Sequence, residues 1–153
     1  SISKYFHWSE NFYTRNLIHK NDRFEVMAIC WERGQVSRIH DHADQKCWMT
    51  VPIGRLRGRN FAVDFLDRSK GHCRLRETDT FELSDCVAAK VELEEPIHQI
   101  LNMSEFGERA VSIHIYSKPF DTCLSYCRDS DTFKEVKLFY TSIDGRLCDG
   151  VQL

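Results

Sequence analysis

The chain has 153 residues, 42% hydrophobic and 29% charged, and its 21 basic against 23 acidic side chains leave a net charge of −2. That length suits one domain with a real core, and the balanced charge excludes a general pull toward nucleic acid or anionic lipid. No apolar run approaches the roughly 20 residues that a membrane helix needs, and no secretory leader is visible.

In chain order, the first fifteen or so residues read as helical or irregular. "FEVMAICW" (24–31) is strand-like and stops at the turn Glu32-Arg33-Gly34. "VSRIHDH" (36–42) alternates, "CWMTVPIG" (47–54) is an apolar run, and "NFAVDFL" (60–66) ends at "DRSKG". The runs "CVAAKVEL" (86–93), "PIHQILN" (96–102), "AVSIHIYS" (110–117), "CLSYC" (123–127) and "VKLFYT" (136–141) follow. Short strands with turns at close intervals indicate a sandwich or small barrel, not a βαβ sheet. In "GRLRGRNF", Arg55, Arg57 and Arg59 share one strand face, which reads as a solvated outer face. No repeat, low-complexity tract or linker appears, so residues 1–153 read as a single domain. The seven cysteines are an odd number without a C-x-x-C pair. Reduced thiols in a cytosolic protein are the economical reading.

The chemistry begins at "SRIHDHADQKC" (37–47). On a strand, His40 and His42 face the same way, about 6.5–7 Å apart along the chain, and Asp41 faces the other. They converge on one metal ion only if the strand curves, as barrel strands do. The alternative is a pair of ordinary histidines hydrogen-bonded inside a barrel. A third ligand must come from elsewhere, and His98 and His114 are the candidates. His7, His19 and His72 read as surface. Ser112, His114 and Tyr116 form a polar stripe on an otherwise apolar strand. A buried stripe of this kind must be hydrogen-bonded, whether as a plain network or as the surroundings of a metal.

The spacing G-x5-H-x-H, then Cys47 and x6 before Gly54, resembles the first motif of the cupins, with Cys47 where most carry a glutamate ligand. "HQILN" is similar to the H-x3-N end of the second motif. Together with "FYTRNL" and "SIHIYSKPFDTC", the match from about Phe12 to Gly145 resembles eukaryotic-type cysteine dioxygenases. The resemblance implies a mostly β, cupin-type small barrel (jelly roll) with little helix near the N-terminus. Because the chain opens at Ser1 without a Met, the helical N-terminal segment of that family is expected to be missing or shortened. The resemblance also implies one Fe(II) per chain held by His40, His42 and His98. Arg15, with Tyr13, would clamp the substrate carboxylate. His114 and Ser112 would orient Tyr116, and Cys47 and Tyr116 would form a thioether crosslink. Trp31, Ile29, Leu138 and Cys123 would line the pocket or its neighbourhood. The implied partners are L-cysteine and O2, with a monomer in the cytoplasm as the expected form.

Oxygen-activating iron sites commonly use two histidines and a carboxylate. A third neutral imidazole leaves the ion's charge uncompensated, which favours an anionic soft ligand such as a substrate thiolate. A guanidinium grips the substrate carboxylate through paired, charge-assisted hydrogen bonds. Arg15 therefore favours an amino acid over cysteamine, and it is the discriminator against a 3-mercaptopropionate dioxygenase, where glutamine commonly stands. A non-redox metal cupin would normally keep the glutamate that Cys47 replaces. For Cys47 the residues leave open a buried small hydrophobe, a metal ligand, a disulfide partner or the crosslink to Tyr116.

The chain departs from the pattern in two places. "LEEPIH" lacks the glycine that usually precedes the second-motif histidine. Ser117-Lys118-Pro119 stands where relatives often carry Ser-Pro-Pro with a cis bond at the first proline. A cis Ser117-Lys118 bond would cost about 2.5–4 kcal/mol, so either a trans bond with a shifted loop or a cis bond at that cost is expected.

Overall fold

A computed structural model describes residues 1–91 and 96–153. The strands are β1 (Thr14–Lys20), β2 (Glu25–Trp31), β3 (Ile39–His40), β4 (Lys46–Ile53), β5 (Leu56–Asp67), β6 (His72–Leu83), β7 (Ala89–Lys90), β8 (Ile97–Leu101), β9 (Ala110–Ser117), β10 (Thr122–Cys127), β11 (Thr132–Lys137), β12 (Ser142–Ile143) and β13 (Arg146–Leu147). Helix is confined, among the described residues, to two short 3-10 turns, Ile2–Tyr5 and Ser104–Phe106. None is long and apolar enough to cross a membrane.

The strands form a seven-stranded sheet, β13-β12-β1-β2-β9-β4-β7, and a closed barrel, β10-β11-β6-β5-β8-β3. Central position explains the composition of β2. Met27, Ala28, Ile29, Cys30 and Trp31 are all buried, so the strand reads as a continuous apolar run and not as an alternation. One core cluster gathers Met27, Ile29, Trp31, Met49, Val51, Leu56 and Ile100, and a second gathers Phe61, Cys73, Leu75 and Ile97. At the β4–β5 turn Gly54 takes φ +73, and a Cβ there would lie 2.3 Å from the carbonyl oxygen of Arg109. Only glycine fits such an approach.

Most strand expectations meet a strand, and the exceptions have physical reasons. The N-terminal region contributes only one 3-10 turn before β1, a strand that apolar patterning hides because Thr14 and Asn16 are its fully buried residues. Asn16 Nδ2 donates to Thr14 Oγ1 at 2.9 Å and to the carbonyl of Ala28 at 3.3 Å, so polar side chains satisfy one another inside. Strand β6 is hidden in the opposite way, since Arg74, Arg76 and Glu82 carry charge along its solvent face. The run expected over 86–93 is a strand only at Ala89–Lys90, and its residues 92 and 93 lie outside the described ones. The run expected over 136–141 leaves the ladder after Lys137. Arg55 and Arg57 pair with Glu82, Arg57 also with Glu105, and Arg59 with Glu77, which makes that face a solvated, ion-paired one.

Candidate metal centre

His40 ends β3 and stands opposite His98 of β8 in register. The chain then leaves the strand at Asp41, whose N–H donates to the Leu124 carbonyl at 3.2 Å and whose carboxylate accepts from the Leu124 N–H at 2.8 Å. Asp41 thus faces β10. Ala43 and Asp44 take positive φ values of 50 and 60, which turns the backbone just beyond His42. The two histidines therefore converge through a bend and not along one extended strand. Ring centroids lie 5.1 Å apart for His40 and His42, 4.7 Å for His40 and His98, and 4.5 Å for His42 and His98.

One ring nitrogen from each of the three lies within 4.8 Å of the others. His40 Nδ1 bonds the Arg38 carbonyl at 2.8 Å, and His42 Nδ1 bonds the Pro96 carbonyl at 3.2 Å. A carbonyl only accepts, so both rings carry their proton on Nδ1 and present an Nε2 lone pair. His42 Nε2 is buried without a partner among the described residues, and the Nε2 atoms of His40 and His98 are 3.2 Å apart. Burial lowers the pKa of all three rings, most strongly for His42 and His98. Neutral imidazoles with converging lone pairs and an unpartnered nitrogen suit a divalent ion. His114, the other candidate for third ligand, is not in the group.

The three rings face a cavity of about 660 Å³ that Tyr13, Arg15, His114 and Tyr116 also line. Ile29, Trp31, Cys123 and Leu138 complete the expected wall. Arg15 is tied to the segment after β11. Its N–H donates to Thr141 Oγ1 at 2.9 Å, its carbonyl accepts from the Thr141 N–H at 2.7 Å, and its Nη1 donates to the Phe139 carbonyl at 2.9 Å. The other guanidinium donors have no partner among the described residues. Tyr13 stacks on Trp31, with centroids 4.6 Å apart.

Behind the cavity a polar chain runs in one direction. Trp31 Nε1–H donates to Ser112 Oγ at 2.9 Å, Ser112 Oγ meets His114 Nε2 at 2.8 Å, and His114 Nδ1 meets the Tyr116 hydroxyl at 3.1 Å. Trp31 donates to Ser112, and His114 Nε2 is the one acceptor for the serine hydrogen among the described residues, so that hydrogen is assigned to His114 Nε2. The imidazole proton then sits on Nδ1 and is donated to the Tyr116 oxygen. Burial holds the His114 pKa down at about 3 and pushes the Tyr116 phenol well above its usual range. Tyr116 is thus a protonated phenol whose own hydrogen is free to point into the cavity.

Cys47 is fully buried and stands opposite Tyr116 in the β4–β9 register. Burial pushes its thiol pKa far up. Directly opposed residues have Cβ atoms about 4.5–5.5 Å apart, a separation that a thioether to the ring can span. Cys47 is neither in the histidine group nor in a disulfide; all seven cysteines are free. The Ser117–Lys118 bond is cis, and the Lys118 N–H donates to Gln45 Oε1 at 2.9 Å.

The profile of the family cysteine dioxygenase type I matches residues 2–129. The chain belongs to the cysteine dioxygenase type I family. Cysteine dioxygenase type 1 of Rattus norvegicus is 36% identical over 121 residues, which cover 74% of this chain and 55% of the rat protein. The chain therefore spans about half the length of such relatives. Among solved structures, a Klebsiella pneumoniae protein with a double-stranded β-helix domain superimposes with a TM-score of 0.59 at 13% identity, covering 90% of this chain and 88% of the other. An RmlC-like cupin protein from Desulfovibrio desulfuricans gives 0.52 at 11% identity, covering 75% and 91%. These two establish the cupin fold alone.

Sequence reasoning missed several cavity residues of this cysteine dioxygenase family member. Phe120 packs edge-on against both Tyr116 and His42. Phe139 and Tyr140 line the cavity beside Arg15, in a stretch that reads as a plain strand. No local pattern distinguishes a pair of aromatics that turns inward from one that continues a ladder.

Proposed function

We propose that the chain oxidises L-cysteine with O2 to cysteine sulfinic acid at an Fe(II) held by His40, His42 and His98. The observation that carries this reading is the meeting, in one cavity, of three converging neutral imidazoles with a guanidinium and a protonated phenol. Bound there, Fe(II) supplies the one-electron chemistry by which O2 reacts with a thiolate, both oxygen atoms ending on the sulfur. Arg15 binds the substrate carboxylate with the donors not engaged by Phe139, and its charge offsets that of the carboxylate. Tyr13, held flat by Trp31, closes the same end. Tyr116 donates its hydroxyl hydrogen toward the reacting end, while His114 and Ser112 keep that hydrogen from turning inward.

Cys47 and Tyr116 are read as the partners of a thioether. The step joins Sγ to a ring carbon, and the thiol and ring hydrogens leave with two electrons that O2 accepts. The crosslink removes a rotor from the phenol and fixes its aim.

The test is oxygen uptake by Fe(II)-loaded protein with L-cysteine, 3-mercaptopropionate and cysteamine offered separately. Uptake with L-cysteine that matches the sulfinate formed, and that a chelator abolishes, supports the reading. Uptake with 3-mercaptopropionate alone moves the substrate assignment. No uptake with any thiol despite bound iron overturns it.

A further inference from the structure

Glu25 takes no part in the site described above, yet it is the most deeply buried carboxylate beside it. It opens β2 at 0% exposure, opposite Lys20 of β1 on one side and Tyr116 of β9 on the other. The Tyr140 hydroxyl donates to Glu25 Oε2 at 2.5 Å, and Lys20 Nζ donates to the Tyr140 oxygen at 3.1 Å. Glu25 Oε1 has no partner among the described residues. A buried carboxylate is costly unless hydrogen bonds and a counter-charge hold it, and here both reach it through one phenol.

That phenol belongs to the clamp's surroundings. The Tyr140 ring lies in the cavity wall, its centroid 5.7 Å from the Arg15 guanidinium carbon. On the other side Arg15 is bonded to the Phe139 carbonyl, and its backbone is laced to Thr141. Tyr140 sits between these two anchors, outside any strand, with its hydroxyl as its polar fixing point. Lys20 can only donate to that hydroxyl, so Glu25 alone among the described residues accepts its hydrogen.

We propose that Glu25 is a positioning residue for substrate binding, fixing the Arg15 guanidinium through the Tyr140 hydroxyl. The inference rests on Arg15 being the carboxylate clamp of the proposed reaction. Its substrate class is thiols that carry a carboxylate, and cysteamine is the control that lacks one.

The experiment compares wild type with Glu25→Ala, Glu25→Gln and Tyr140→Phe by two readouts. Steady-state oxygen uptake of the Fe(II) enzyme is measured with L-cysteine and cysteamine. Independently of activity, the side-chain Nε–H resonance of Arg15 is followed by NMR in the Zn(II)-loaded protein. Losing a held cation–π partner corresponds to roughly a 3- to 10-fold rise in KM for L-cysteine in Glu25→Ala and Tyr140→Phe, with kcat altered less than about twofold. The Arg15 resonance should lose its protection in those two variants. Glu25→Gln, which still accepts the hydroxyl hydrogen, should restore both readouts. Should Glu25→Ala not fold, Tyr140→Phe and Glu25→Gln carry the comparison. An unchanged Arg15 resonance in Glu25→Ala or Tyr140→Phe overturns the inference. So do equal losses with cysteine and cysteamine, or a Glu25→Gln protein that behaves like Glu25→Ala. If the wild type oxidises no thiol, the dioxygenase reading falls, while the resonance still decides the role of Glu25.

Discussion

Ser112→Ala tests the polar chain behind Tyr116 directly. Ser112, Trp31 and His114 are 0%, 1% and 3% exposed, so water does not replace what the hydroxyl provides. Removing Oγ orphans two groups at once, the Trp31 indole N–H and the His114 Nε2 lone pair. A buried orphan costs about 1–3 kcal/mol, so with two orphans the variant should lose about 2–6 kcal/mol. In a chain of this size that lowers Tm by roughly 4–24 °C. The assay is urea unfolding followed by far-UV circular dichroism, with Trp31→Phe and the double variant in parallel. Trp31→Phe removes one of the two orphans beforehand, so the double variant should be more stable than additivity predicts, by about 1 kcal/mol. A Ser112→Ala protein within about 0.5 kcal/mol of the parent, or strict additivity, would refute the buried hydrogen-bonded chain through Ser112.

Arg15→Ala should lower kcat/KM for L-cysteine by about 10- to 150-fold, the equivalent of one charged hydrogen-bond pairing of about 1.5–3 kcal/mol. Turnover of cysteamine should fall far less, and Arg15→Lys should recover only part because it lacks the fork. Cys47→Ser should abolish a crosslinked species that intact-mass measurement detects in parent protein after turnover with iron, cysteine and O2. That species is lighter by the hydrogens lost from the thiol and the ring. Glu77 gives a pH signature: its hydrogen bond from Arg59 holds its pKa down at about 2. A depressed carboxylate stabilises the fold above its unfolded pKa of about 4.3 and loses that contribution as pH falls toward 2. The urea midpoint should therefore drop across that window, and Glu77→Gln should flatten the drop.

What the sequence made legible is local. H-x-H and H-x3-N are short spacings, and they named the three histidines that converge, although the bend at Ala43 and Asp44 that brings His42 round is not written in an alternation. The stripe Ser112, His114, Tyr116 was legible for the same reason, since residues two apart share a strand face. The resemblance to cysteine dioxygenases named Arg15 and Cys47, which no spacing connects to the histidines. Their placement depends on register, Cys47 opposite Tyr116 and Arg15 opposite Ile29, and register is settled by pairing between distant segments. Strand β1 was obscured because its most deeply buried residues, Thr14 and Asn16, are polar. Glu25 sits in an apolar-looking strand as a lone charge, and only the approach of Tyr140 from far along the chain gives it a partner.

The supports of Arg15 lie at Phe139, Tyr140 and Thr141, beyond the residues 2–129 that the family profile matches. The three histidines lie within them. The cavity is thus assembled from two stretches of chain. One holds the histidine group together through strand register, where a shift of one residue would turn His98 away from His40. The other shapes the far end of the cavity from a stretch outside the ladder, Leu138 to Thr141. On the proposed reaction, changes at residues 138–141 would alter the end of the cavity that meets the substrate carboxylate while leaving the three histidines in register. In engineering terms, residues 138–141 are where a different substrate tail would be introduced first.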